Sequence, residues 1–157
     1  MDFNRHISRR LHEEHEATLA LWGRLEQVLA MRGSKPPTEE ELRLLRDCAA
    51  QIADEVTRHF AFEESDLFPL LAAAGEGDIA ELLAEEHATI RAAALRFGEL
   101  ARPGGEGEAS WPELRALALE LAERLVSHVQ KEEMSLLPSL EDLLDEQTDR
   151  ELAGSYT

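Results

Sequence analysis

His59-Phe60-Ala61-Phe62-Glu63-Glu64-Ser65-Asp66-Leu67-Phe68-Pro69-Leu70-Leu71 reads H-x-x-x-E-E-x-x-L-x-P-x-L. The same pattern returns 69 residues on, as His128-Val129-Gln130-Lys131-Glu132-Glu133-Met134-Ser135-Leu136-Leu137-Pro138-Ser139-Leu140. A second pattern precedes each copy. Glu13-Glu14-His15 parallels Glu85-Glu86-His87 at an offset of 72. Each half of the chain therefore carries E-E-H, a gap of about forty residues, and then H-x-x-x-E-E. A duplicated unit of this length is a supersecondary repeat. Its apolar residues recur at helical steps of three and four, so the unit is a pair of helices.

Working outward from the repeat gives the four helices. Leu11, His15, Leu19, Trp22, Leu25 and Leu29 share one face of a first helix from about Asn4 to Met31. Gly33-Ser34-Lys35-Pro36-Pro37 stops it. A second helix opens with Thr38-Glu39-Glu40-Glu41, a capping box, and runs to about Asp66, where Pro69 is expected to end or kink it. A third starts at Asp78, with Glu81 suggesting another capping box, and runs to about Ala101. The glycine-rich loop before Ser110 is expected to be mobile. The fourth runs from Ser110 to about Ser135, with Pro138 expected to interrupt it and a short fifth helix expected from Ser139 to Gln147. Four long helices on short loops predict an all-α, antiparallel up-down-up-down bundle over residues 1–147, followed by a flexible tail at 148–157.

The composition narrows the function classes. Sixteen Lys and Arg against 33 Asp and Glu give a formal charge of −17. Such a surface repels phosphates, so nucleic acid and anionic membranes are not the expected partners. One cysteine, Cys48, forms no internal disulfide and excludes Cys-rich zinc folds; a buried apolar role is expected for it. No uncharged apolar run approaches the roughly 18 residues of a membrane span, and the N-terminus carries no apolar signal core. A cytoplasmic location is the corresponding expectation. The six histidines become the informative minority, because imidazole is the commonest transition-metal ligand.

Residues four apart lie on one helix face, so His59 with Glu63, and His128 with Glu132, approach a common point. With a rise of about 1.5 Å per residue, His15, His59, His87 and His128 all lie roughly 21–31 Å from the end holding the first and third interhelix loops. Four His and two Glu on four helices therefore converge. This N₄O₂ set has too many ligands for one tetrahedral zinc and too few oxygens for calcium. Two metals, each with two imidazoles and sharing two carboxylates, use all six. Iron suits these donors, and manganese or a mixed pair shares their ligand preferences. Open positions remain for water, an oxo or hydroxo bridge, or a small diatomic ligand.

On these residues the chain resembles the hemerythrin-like, or HHE cation-binding, domain family from about Ile7 to Leu140. The resemblance implies a non-heme diiron centre in which Glu63 and Glu132 bridge, His15 and His59 hold one iron, and His87 and His128 hold the other. Oxygen-carrying members have a fifth His one turn after the third-helix ligand, where this chain has Arg91. They also end the fourth-helix motif with Asp after a longer gap, where this chain has Glu132. The four-His, two-Glu pattern is more similar to iron-centre repair proteins and to iron- or oxygen-sensing proteins. It implies a ligand such as oxygen, peroxide or nitric oxide. A sensor or weak oxidoreductase is one reading, and iron or oxygen storage, including iron donation to damaged iron–sulfur clusters, is the other.

Other candidates rank below these six. His12 shares a face with His15, but its repeat position is Ala84; His12/Glu16 is a third H-x-x-x-E and is read as incidental. His6 is expected near the helix start, in solvent. Glu64, Glu86 and Glu133 are rotated about 100° from their neighbours, which points either to an outer layer around the ligands or to a solvated face. Trp22, Phe60, Phe62, Phe68 and Phe97 are expected in the core.

Overall fold

The computed structural model describes residues 2–33, 35–102 and 110–156. Helix α1 spans His6–Arg32. Helix α2 is continuous from Glu39 through α-helical Glu39–Asp54, a π-helical turn Glu55–His59, Phe60–Phe62, a second π-helical turn Glu63–Leu67, and Phe68–Ala73. Helix α3 spans Gly77–Ala101. Helix α4 runs through Trp111–Lys131, a π-helical turn Glu132–Leu136, and Leu137–Leu143. Helix α5 spans Glu146–Ser155. Helices α1 and α3 each pack against α2 and α4, and α5 packs on α1. This is the antiparallel four-helix bundle with a short C-terminal helix. The loop expected to be mobile falls at 103–109, outside the described residues.

Local chemistry fixes several ends. The Thr38 hydroxyl accepts from the Glu41 backbone N–H, and the Glu41 carboxylate accepts from the Thr38 N–H, which is the predicted capping box. The box expected at Asp78 does not form; α3 begins at Gly77 without a side-chain cap. Gly75, at φ 89°, makes the reversal between α2 and α3 in a conformation that a Cβ would strain.

Three sequence expectations are corrected. Pro69 and Pro138 neither end nor break their helices. Each stands two residues after the end of a π-helical turn, in the first turn of the α-helical stretch that follows, where the widened backbone relieves the demand for the N–H that proline lacks. The fifth helix is not Ser139–Gln147, because Leu137–Leu143 continues α4 and the break comes at Leu144. Finally, the segment expected as a flexible tail is helical up to Ser155. Asp145 caps it through the Thr148 N–H, Asp149 is buried, and Tyr156 is only 3% exposed. The buried Asp149 carboxylate accepts from the His6 and Ile7 backbone N–H groups at 2.9 and 3.0 Å, so α5 caps the start of α1.

The core is divided. One apolar cluster, around Trp22, Cys48, Phe97, Trp111 and Leu121, fills the half of the bundle near the α1–α2 and α3–α4 connections. Another, around Ile7, Leu11, Leu71, Leu83 and Leu136, fills the opposite half beneath α5. Where the two clusters meet, every long helix carries buried His or Glu: His15 on α1, His59 and Glu63 on α2, His87 on α3, and His128 and Glu132 on α4.

Candidate metal centre

These positions form a dry polar layer. His59, Glu63, His87 and Glu132 are fully buried, and His15 and His128 are 2% exposed. Such burial of two carboxylates is expensive unless they are paired or bound. All four imidazoles turn Nε2 inward. The two carboxylates lie between them, with one oxygen toward each histidine pair. Glu63 Oε2 is 3.2 Å from His59 Nε2, while Glu63 Oε1 is 3.2 Å from His87 Nε2. Glu132 Oε1 is 2.9 Å from His15 Nε2, while Glu132 Oε2 is 2.9 Å from His128 Nε2 and 3.4 Å from His87 Nε2. The ligand-type atoms of His15, His59, Glu63 and Glu132 all lie within 4.8 Å of one another. So do those of Glu63, His87, His128 and Glu132, and the two carboxylates belong to both groups.

The contacts fit cations better than a hydrogen-bond network. His59 Nε2, both oxygens of Glu63, and Glu132 Oε2 are buried without a hydrogen-bond partner. His87 Nε2 faces His128 Nε2 at 3.0 Å, two basic nitrogens aimed at each other. Two donors at roughly 2.1 Å from a shared ion and at right angles lie about 3.0 Å apart. The charge distribution agrees. Burial disfavours the imidazolium of His15, yet its hydrogen bonds to Glu132 and Glu133 raise its pKa to about 9. His87, against Glu132 and Glu63, is likewise raised to about 9. Burial opposes ionisation of Glu132, but His128, His15 and His59 hold its carboxyl well below the usual range. Without metal, the layer draws in protons to supply the positive charge it requires.

A second layer fixes the imidazoles. Each Nδ1–H donates to a carboxylate: His15 to Glu133 at 2.8 Å, His59 to Glu14 at 3.1 Å, His87 to Glu64 at 2.6 Å and His128 to Glu86 at 2.8 Å. This holds a proton on Nδ1 and aims Nε2 inward, where it can take a metal in place of its own proton. The repeat explains the pattern. Within each half, the Glu preceding the E-E-H histidine holds the other histidine of that half. The second Glu of each H-x-x-x-E-E crosses to the histidine of the opposite half. Glu64, Glu86 and Glu133 are thus outer partners of the imidazoles, which decides between the outer layer and the solvated face that their 100° rotation left open.

Each outer carboxylate has its own further partner. Arg58 and the Tyr156 hydroxyl bind Glu14, Arg91 binds Glu64 at 2.8 Å, Lys131 pairs with Glu86, and His12 hydrogen-bonds Glu133. Hydrogen bonds from His59, Arg58 and Tyr156 outweigh burial and hold Glu14 at about 2. His12 also meets Glu16 at 3.0 Å on a partly exposed face, and His6 is exposed beside Arg9. Neither reaches the inner layer. Phe60 stacks on the His87 ring at 3.8 Å, and Phe68 lies 5.3 Å from the same ring, so these two core residues also wall the layer.

Three participants escaped the sequence reading. Glu14 was signalled by its repeat partner Glu86. Glu55, one turn before His59 and 3.0 Å from its Nδ1, has Arg124 at the equivalent position and carries no repeat signal. Tyr156 lies nearly a hundred residues from His59 and had no local signal.

The family profile described as the Hemerythrin HHE cation binding domain matches residues 6–140. The chain therefore belongs to the hemerythrin HHE cation-binding family. No curated protein matches it.

Proposed function

We propose that this member of the hemerythrin HHE family is a non-heme diiron protein that reacts with a small redox ligand (oxygen, peroxide or nitric oxide) as a sensor or weak oxidoreductase. His15 and His59 hold one iron, His87 and His128 hold the other, and Glu63 and Glu132 bridge them. One observation carries this reading: two four-residue ligand groups share two buried carboxylates, each directing one oxygen to each group.

When bound, an iron pair supplies one- and two-electron redox chemistry and open positions for a small ligand. The chain does the rest. The carboxylates of Glu63 and Glu132 balance part of the cationic charge. Glu14, Glu64, Glu86 and Glu133 hold each imidazole in one tautomer. Phe60 and Phe68 pack against the His87 ring and keep water from that side of the layer. Arg91 occupies the position of the fifth histidine of oxygen carriers and spends its charge on Glu64, which supports reaction or sensing over reversible oxygen carriage.

The test is iron content per chain together with near-ultraviolet spectra before and after peroxide, oxygen and nitric oxide. About two irons per chain and ligand-dependent spectra are expected. No iron after reconstitution, with His59→Ala leaving stability unchanged, would overturn the reading.

A further inference from the structure

The two halves of the layer differ in what stands behind their histidines. Behind His128, the outer carboxylate Glu86 meets Lys131, a redox-inert ammonium. Behind His59, the outer carboxylate Glu14 accepts a 2.6 Å hydrogen bond from the phenol of Tyr156. Tyr156 is the only tyrosine in the chain. Its ring is 3% exposed, stands edge-on to His59 at 6.3 Å between centroids, and stacks on Phe62 at 4.4 Å. An oxidisable phenol, a proton acceptor and a ligand imidazole thus form one hydrogen-bonded line.

We propose that Tyr156 is a one-electron donor to the loaded metal pair, losing its phenolic proton to Glu14 as the electron leaves. The inference rests on the diiron reading above. Reduction of hydrogen peroxide to two waters takes two electrons and two protons. When the metal pair provides one electron, Tyr156 provides the other. Its O–H bond breaks, the proton moves to the Glu14 carboxylate already bonded to it, and solvent supplies the two protons that end in water. Glu14, whose side chain is partly exposed, returns that proton to solvent and stays ionised, so the products are a neutral tyrosyl radical and two waters. The guanidinium carbons of Arg10 and Arg58 lie 4.5 and 5.0 Å from the ring centroid. Two cations so close penalise a positively charged ring, so electron and proton leave together. The Phe62 stack and burial then protect the radical from solvent.

The experiment loads the full chain with ferrous iron under argon, adds hydrogen peroxide beyond the one equivalent that two ferrous ions reduce by themselves, without external reductant, and freezes samples for electron paramagnetic resonance. A tyrosyl signal is expected. Because there is one tyrosine, growth on ring-deuterated tyrosine must narrow that signal, and this arm needs no variant. Tyr156→Phe should abolish the signal while retaining iron stoichiometry. Iron uptake and peroxide consumption without a tyrosyl signal would overturn this inference alone. A radical unaffected by deuteration would assign it to Trp22 or Trp111 and overturn it equally. Failure to bind iron would overturn this inference and the diiron reading together.

Discussion

Glu64→Ala isolates the contribution of the outer carboxylates to metal binding. Glu64 touches His87 Nδ1 at 2.6 Å and Arg91 at 2.8 Å, and it donates nothing to the inner layer. Its removal leaves His87 free to rotate and to change tautomer, and it lowers the basicity of Nε2. Losing such a partner costs about 10–100-fold in metal affinity, which is about 1.4–2.7 kcal/mol of binding free energy. The metal-free protein loses only a partly exposed ion pair and one hydrogen bond, about 1 kcal/mol. For a chain of this size, each kcal/mol moves the melting temperature by about 2–4 °C. The metal-free melt should therefore fall by about 2–4 °C. With iron present, the binding loss adds about 3–11 °C to that shift. Chelator-competition titration and melts with and without iron measure both quantities. Glu85→Ala, one residue before Glu86 and exposed, is the control and should leave affinity unchanged. Equal affinities for Glu64→Ala and the unmodified chain, or an equal loss in Glu85→Ala, would refute the reasoning.

Other outcomes follow from the same geometry. His15→Ala should reduce iron below two per chain, whereas His12→Gln should retain two, because His12 contacts Glu133, Glu16 and the Phe3 ring, all outside the inner layer; metal analysis of both variants checks this. Asp149→Ala removes two hydrogen bonds at the start of α1 and should cost about 1–2 kcal/mol, read as a melting temperature lower by about 2–8 °C. Cys48 is fully buried, and burial pushes its thiol up to about 12, so it stays neutral and unreactive through pH 10. A chromogenic thiol reagent should find no cysteine in the native protein and one per chain in urea.

The repeat made the inner layer legible because helical spacing converts sequence order directly into direction. Glu63 and Glu132 stand four residues after a histidine and point with it. Glu64 and Glu133 stand five after, and they reach a different helix. Helix ends were less legible. Prolines 69 and 138 signal breaks in an α-helix, but the preceding π-helical turns accommodate them, and a π-helical turn has no compositional signature at this level. The closure of the His59 side was invisible for another reason. It depends on α5 folding back on α1 through Asp149 and placing Tyr156 against Glu14, contacts spanning more than 140 positions. Local periodicity carries no information about pairings that distant.

The account rests on two cations sharing two carboxylates. Crystals of the iron-loaded protein, measured at the iron absorption edge, test that most directly. The prediction is two anomalous peaks per chain, one beside His15 and His59 and one beside His87 and His128, with Glu63 and Glu132 spanning both. A single peak, no peak, or a peak in the outer group formed by Glu14, Glu55 and His59 would contradict it.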